Sequence, residues 1–263
     1  MPFFDSDGAR VYWRTDGRAG APALVLSNSL ASDMSLWDGL IPELTQTYHV
    51  LRVDLPGHGA SSIPGARQSW PIPELAEHVL RAAEAAGISS FSFVGVSIGG
   101  MIGLWLAANS HHVNHLVVSN TSATVDPTVW QSRIDTARDK GLAALVDATM
   151  QRWFTRDFLA RDPVEVATIR EHMLQVDPRG YIGCCCAIRD LDLKSSLGRV
   201  RAPTLVISGT HDVAMPAPAG QAIAAAVQQG CYLEFPVAHI PHIEEPQRFL
   251  RAITDHLGTH RDN

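Results

Sequence analysis

The run Gly95-Val-Ser97-Ile-Gly99-Gly100 sets a serine between glycines two residues before and two after it. That spacing suits a sharp strand-to-helix turn. Crowding of the two backbones there demands small neighbours, and the hydroxyl is left exposed to attack an acyl carbon. The flanks fit, since residues 91–95 read as an apolar strand and 99–109 as a helix. A phosphate loop is the competing reading, and it fails because no Lys-Ser or Lys-Thr follows the glycines. A lone hydroxyl is a weak nucleophile, so a base and a group orienting that base must follow. On such a turn they come in the order acid, then histidine. Gly209-Thr-His-Asp212 sits at the carboxyl end of an expected strand, 204–208, where ligand chemistry collects in open α/β sheets. Asp212 is the expected acid, against the alternative that it caps the next helix. His239 and His242 compete for the base. His239 leaves the last strand first and is favoured, whereas His242, after Pro241, suits a helix start or a pocket rim. Donors to an oxyanion are expected from the Ile98 N–H and from the loop 27–33, with Leu30 ahead of Ser29.

A mostly parallel sheet would bring these groups to one edge. Strands are expected at 23–27, 48–54, 91–95, 115–119, 204–208 and 231–235, separated by helices at 36–44, 73–86, 99–109, 220–227 and 246–257. The texture changes in between, where 128–140, 141–154, 163–176 and 180–188 all read as helices. The expected organisation is an α/β core of residues 1–123 and 196–263, with a helical cap, 124–195, over the carboxyl edge of the sheet. The glycine-rich turn 52–61 reads as structural, with Asp54 and His58 hydrogen-bonding the scaffold.

Composition bounds the alternatives. The chain has 263 residues, 46% apolar and 18% charged, with a net charge of −6. One large core is affordable at that size, disorder is excluded, and no basic footprint for nucleic acid exists. No long uncharged apolar run could span a membrane, and the start lacks the basic and apolar regions of a signal peptide. A soluble cytoplasmic protein is expected. Of four cysteines, Cys184, Cys185 and Cys186 are consecutive and Cys231 is distant. Neither a disulfide framework nor a zinc site is comfortable with that spacing, so buried free thiols are expected. His239 and His242 lack an evident third metal ligand.

Gly95-Val-Ser-Ile-Gly, Asp54-Leu-Pro-Gly-His-Gly-Ala-Ser and the Asp212/His239 pair resemble the α/β-hydrolase superfamily. More narrowly, 26–33, Arg152-Trp-Phe154, 180–192 and 208–212 resemble the 3-oxoadipate enol-lactonases. The chain departs from that pattern at Ala31, Leu55-Pro56 and Pro241-His242. The resemblance implies a Ser97–His239–Asp212 triad, an oxyanion hole from Leu30 and Ile98, a small anionic lactone as substrate, and no cofactor or metal. The substrate carboxylate needs a cation. Arg133 beside Trp130 is the expected one, because an Arg fork suits a carboxylate and Trp an apolar wall. Ser29 and Trp153 complete the expected substrate wall. Two rivals are a carboxylesterase or cofactor-free perhydrolase of the same fold, and a ligand-binding protein that keeps the pocket without turnover.

Overall fold

Short apolar strands alternating with amphipathic helices bury both kinds of element only when helices cover each face of a sheet. The computed structural model, which describes residues 2–6, 8–67, 69–161 and 163–258, has this arrangement. Strands β1 (Phe3–Ser6), β2 (Ala9–Asp16), β3 (Ala23–Ser27), β4 (His49–Val53), β5 (Phe91–Val96), β6 (Val113–Ser119), β7 (Thr204–Gly209) and β8 (Gly230–Phe235) form one sheet. Its order is β1-β2-β4-β3-β5-β6-β7-β8. The strands from β4 to β8 pair in parallel, while β1 and β2 run antiparallel. The central strands are apolar on both faces, with Leu24, Val25, Leu26, Phe93, Val94 and Val117 fully buried.

A 3₁₀ turn, Met34–Leu40, leads into the single turn α1 (Ile41–Leu44), and α2 (Ile72–Ala85) and α3 (Ile98–Asn109) pack beside the sheet. Between β6 and β7 the chain makes α4 (Pro127–Lys140), α5 (Ala143–Trp153), α6 (Arg156–Leu159), α7 (Val164–Gln175) and α8 (Pro178–Arg189). This excursion has a narrow stem. Thr124 and Asp192 form an antiparallel bridge, and Leu193 N–H donates to the Ala123 carbonyl at 2.9 Å. Helices α9 (Ala217–Ala226), α10 (Pro241–Glu244) and α11 (Pro246–Gly258) complete the chain.

Three features differ from the sequence expectation. Strands β1 and β2 were not expected, because β2 interleaves apolar and charged residues on a half-exposed edge of the sheet. Gly141, at φ +74, caps α4, and α5 begins only at Ala143. Helix α9 starts at Ala217, directly after Pro216, rather than at 220, since proline suits a helix start. The thiols also divide. Cys184 and Cys185 are buried on α8, whereas Cys231 is exposed because β8 lies at the sheet edge.

Candidate active site

The carboxyl ends of β3, β5, β6 and β7 lie side by side, with Ser27 opposite Gly95, Val96 opposite Ser119, and Ser119 opposite Ile207. Loops leaving these ends therefore meet over one edge. At the end of β5 the chain turns into α3 through Ser97, whose backbone sits at φ 59 and ψ −120. That conformation is strained for a serine, and its surroundings hold it. Ser97 N–H donates to the Ser119 carbonyl at 3.0 Å, and Thr121 Oγ1 donates to the Ser97 carbonyl at 2.7 Å. A Cβ on Gly95 would run into the Gly99 carbonyl, and one on Gly99 into the Ser27 carbonyl. Both glycines are needed for the turn to close.

The turn after β7 presents Asp212, with both carboxylate oxygens occupied. Oδ1 accepts from the N–H groups of Ala214 at 2.8 Å and Met215 at 3.0 Å. Oδ2 accepts from Asn120 Nδ2 at 2.8 Å and pairs with His239 Nδ1 at 2.7 Å. Burial alone would raise the Asp212 carboxyl. The neighbouring His239, through its field and its hydrogen bond, together with the hydrogen bonds from Asn120 and Met215, outweighs it and holds the group below the usual carboxylate range. His239 follows β8, its N–H donates to the Trp153 carbonyl at 3.0 Å, and the Trp153 ring stacks on it at 6.1 Å. With Nδ1 turned to the carboxylate, Nε2 is the nitrogen left to take a proton.

Ser97 and His239 line the same narrow cavity. Among the described residues no hydrogen bond joins Ser97 Oγ to the imidazole, as is common before a substrate draws such groups together. Ser29, Leu30 and Ala31 form one wall, with Ala31 at φ 68. Among the described residues the N–H groups of Leu30 and Ile98 have no acceptor, so both are available as donors beside the serine. Trp130, Arg133 and Trp153 line the same cavity. The Arg133 guanidinium lies 4.8 Å from the Trp130 ring centre, and among the described residues no carboxylate pairs with it. A serine, an imidazole paired with a carboxylate, unpaired N–H groups and a cation thus come together at one space. That set suits acyl transfer from an anionic ester or lactone.

The profile of proteins with the α/β hydrolase fold matches residues 22–246. The chain belongs to this family. It is 32% identical over 243 residues to 3-oxoadipate enol-lactonase 2 of Acinetobacter baylyi, covering 92% of this chain and 90% of that protein. It is 29% identical over 250 residues to enol-lactonase 1 of the same organism, covering 94% and 92% respectively. Among solved structures, the enol-lactonase of Burkholderia xenovorans LB400 superposes with a TM-score of 0.93 at 36% identity. That match covers 98% of this chain and 100% of the other. An α/β hydrolase needs no membrane-spanning helix, and among the described residues none is long and apolar enough.

Ile98 follows Ser97 in the chain; Ser29, Leu30, Ser97, Trp130, Arg133, Trp153 and His239 line this cavity, and Asp212 joins it through His239. His242 does neither. It opens α10 as expected, but it is buried away from the cavity, stacked on Trp37 at 4.0 Å. Burial pushes its pKa down to about 3, the Leu36 carbonyl opposing only in part. The pocket-rim alternative for His242 is therefore corrected: it is a neutral core ring of this hydrolase. Asp54 and His58 do serve the scaffold. Asp54 accepts from Met34 N–H at 2.8 Å and Ala60 N–H at 3.0 Å, and His58 Nδ1 meets the Pro56 carbonyl at 2.9 Å. Sequence reasoning missed Asn120, Thr149, Tyr181 and Met215. Asn120 follows the end of β6 directly, and that position on the carboxyl edge is the one signal that could have found it.

Proposed function

We propose that this hydrolase opens 3-oxoadipate enol-lactone to 3-oxoadipate, with Ser97 as nucleophile, His239 as base and Asp212 as the acid that orients it. The observation carrying this reading is the cation that lines the serine's cavity. Arg133, free of any carboxylate among the described residues, faces the same cavity as Ser97 and His239. In a chain of net charge −6, an unpaired guanidinium at that place suits a substrate with a free carboxylate. The relatives named as enol-lactonases support the same choice.

Ser97 Oγ attacks the lactone carbonyl while its proton passes to His239 Nε2. The Leu30 and Ile98 N–H groups hold the oxyanion. The ring C–O bond breaks, and the released enolate takes up a proton to become a ketone, which removes the leaving group and drives acylation forward. Water, deprotonated by His239, then cleaves the acyl-enzyme and releases 3-oxoadipate. Residues 124–195 act as the cap, supplying Trp130, Arg133 and Trp153, and Ser29 completes the substrate wall. No cofactor or metal enters these steps, and the setting is cytoplasmic breakdown of aromatic acids. The test follows ultraviolet absorbance of freshly generated enol-lactone with wild type and Ser97→Ala. Fast, metal-independent loss that vanishes in the variant is expected. Slow loss alongside brisk hydrolysis of neutral esters would overturn the lactone assignment and favour a general carboxylesterase.

A further inference from the structure

The cavity does not end at Arg133. Trp130, Arg133, Ala214 and Met215 also line a wider groove of about 860 Å³ that opens outward. Arg152 lines this groove and not the inner cavity, so the two guanidiniums stand at two depths from the serine. Arg152 has no carboxylate partner among the described residues. Among the described residues it donates from Nη2 to the neutral Thr149 Oγ1 at 3.1 Å, and its Nε is buried without an acceptor. Burial first, and then the nearby charge of Arg133, push Arg152 down to about 10. A half-buried cation beside a second cation is costly unless an anion joins them. The groove's own acid, Asp126, is engaged by Thr128 N–H at 2.8 Å and Thr128 Oγ1 at 2.7 Å. Beside the arginines the groove offers apolar surface: Val129 is 54% exposed and Val213 71% exposed.

A six-carbon lactone with one free carboxylate can engage only one of the two depths. We propose that the groove is a second anion subsite, in which Arg152 receives the terminal carboxylate of a longer ω-carboxyacyl ester whose methylenes lie along Val129 and Val213. The inference rests on Ser97 as nucleophile and widens the substrate class to half-esters of longer dicarboxylic acids. Hydrolysis of such a half-ester breaks the acyl C–O bond. The alcohol leaves with a proton from His239, and water supplies the oxygen of the second carboxylate.

The test measures kcat/KM by acid release for monomethyl adipate and monomethyl suberate, each against the neutral methyl ester of equal chain length. Wild type should favour the suberate half-ester over methyl octanoate by about tenfold or more, the contribution of one charge-assisted hydrogen bond. Arg152→Met, which keeps the apolar stem, should reduce that preference about tenfold more than it reduces the adipate preference. Arg133→Met should do the reverse, and Arg152→Lys should retain part of the suberate preference. Equal loss at both lengths in Arg152→Met, or no suberate preference in wild type, would overturn the proposal. Ser97→Ala run in parallel separates failure of the underlying reading, because half-ester turnover that survives it overturns the nucleophile as well. Loss of the enol-lactone assignment alone would leave the suberate ratio unchanged.

Discussion

Asn120 is where the candidate site and the stability of the fold meet. Its Nδ2 donates to Asp212 Oδ2 at 2.8 Å and to the Ala238 carbonyl at 3.0 Å, from a backbone at φ 49. Asn120→Ala removes both bonds. A buried hydrogen bond to an ionised carboxylate contributes about 1.5–3 kcal/mol and a neutral one about 1 kcal/mol. A Cβ-bearing side chain without asparagine's local tolerance adds about 1 kcal/mol of left-handed strain. The expected loss is about 4 kcal/mol, a large part of the stability of any single domain. Asn120→Gly loses the same bonds without the strain, so it should fall short of alanine's loss by roughly 1 kcal/mol. Urea unfolding of the three proteins at pH 7 measures both numbers. The pH dependence carries a second sign. A carboxyl held below its ordinary range stabilises the fold above its unfolded pKa, and this is lost as pH falls through the folded pKa. Without Asn120 one of the forces lowering Asp212 is gone, so that acid loss should be smaller and complete at a higher pH. Variants within 1 kcal/mol of wild type, or a glycine variant weaker than alanine, would refute the reasoning.

Other expectations are simpler. Asp212→Asn keeps the shape but leaves His239 without its orienting carboxylate, so kcat for ester hydrolysis should fall by about 10⁴-fold. A loss under tenfold would remove Asp212 from the mechanism. His242 stays neutral in the fold down to about pH 3, whereas the unfolded chain binds its proton below about 6.5, so stability is lost as pH falls through that window. His242→Phe should therefore gain on wild type by about 2 kcal/mol between pH 7 and pH 5 in denaturant titrations. A constant difference would contradict a buried neutral ring. His172 on α7 pairs with Asp33 at 2.9 Å, and both are partly buried. His172→Ala should cost about 1 kcal/mol by urea unfolding, and a neutral result would make that pair a solvated contact.

Much of this arrangement could be read from residue order, and the exceptions have physical causes. Strands β3, β5, β6 and β7 are apolar on both faces, so each stands out as a short run between turn residues. The elbow announced itself because three glycines surround Ser97 where backbones crowd. Strands β1 and β2, the antiparallel end of the sheet, hid because exposed and charged residues interrupt their apolar pattern. In the candidate site, Asp212 and His239 were legible from their places just past β7 and β8. Asn120 was not, since its importance lies in a hydrogen bond across ninety-two positions of chain. Tyr181 and Thr149 come from the inserted helices, whose facing sides no local pattern fixes. For His242 the helix start was legible but the direction of its ring was not, because a histidine directly after a proline looks the same whether its ring meets solvent or Trp37.

The stem at Thr124 and Asp192 has a consequence for how such a molecule can change over generations. The chain leaves the sheet and returns at one clasp, so whatever lies beyond closes a loop whose ends are already tied. Closure cost grows only with the logarithm of length, about 0.6 kcal/mol for each doubling. Turns can be gained, lost or exchanged beyond the clasp while the strands beneath stay in register. The register of the strands thus does not depend on how long the excursion is, like a door frame that stays square whichever door hangs in it.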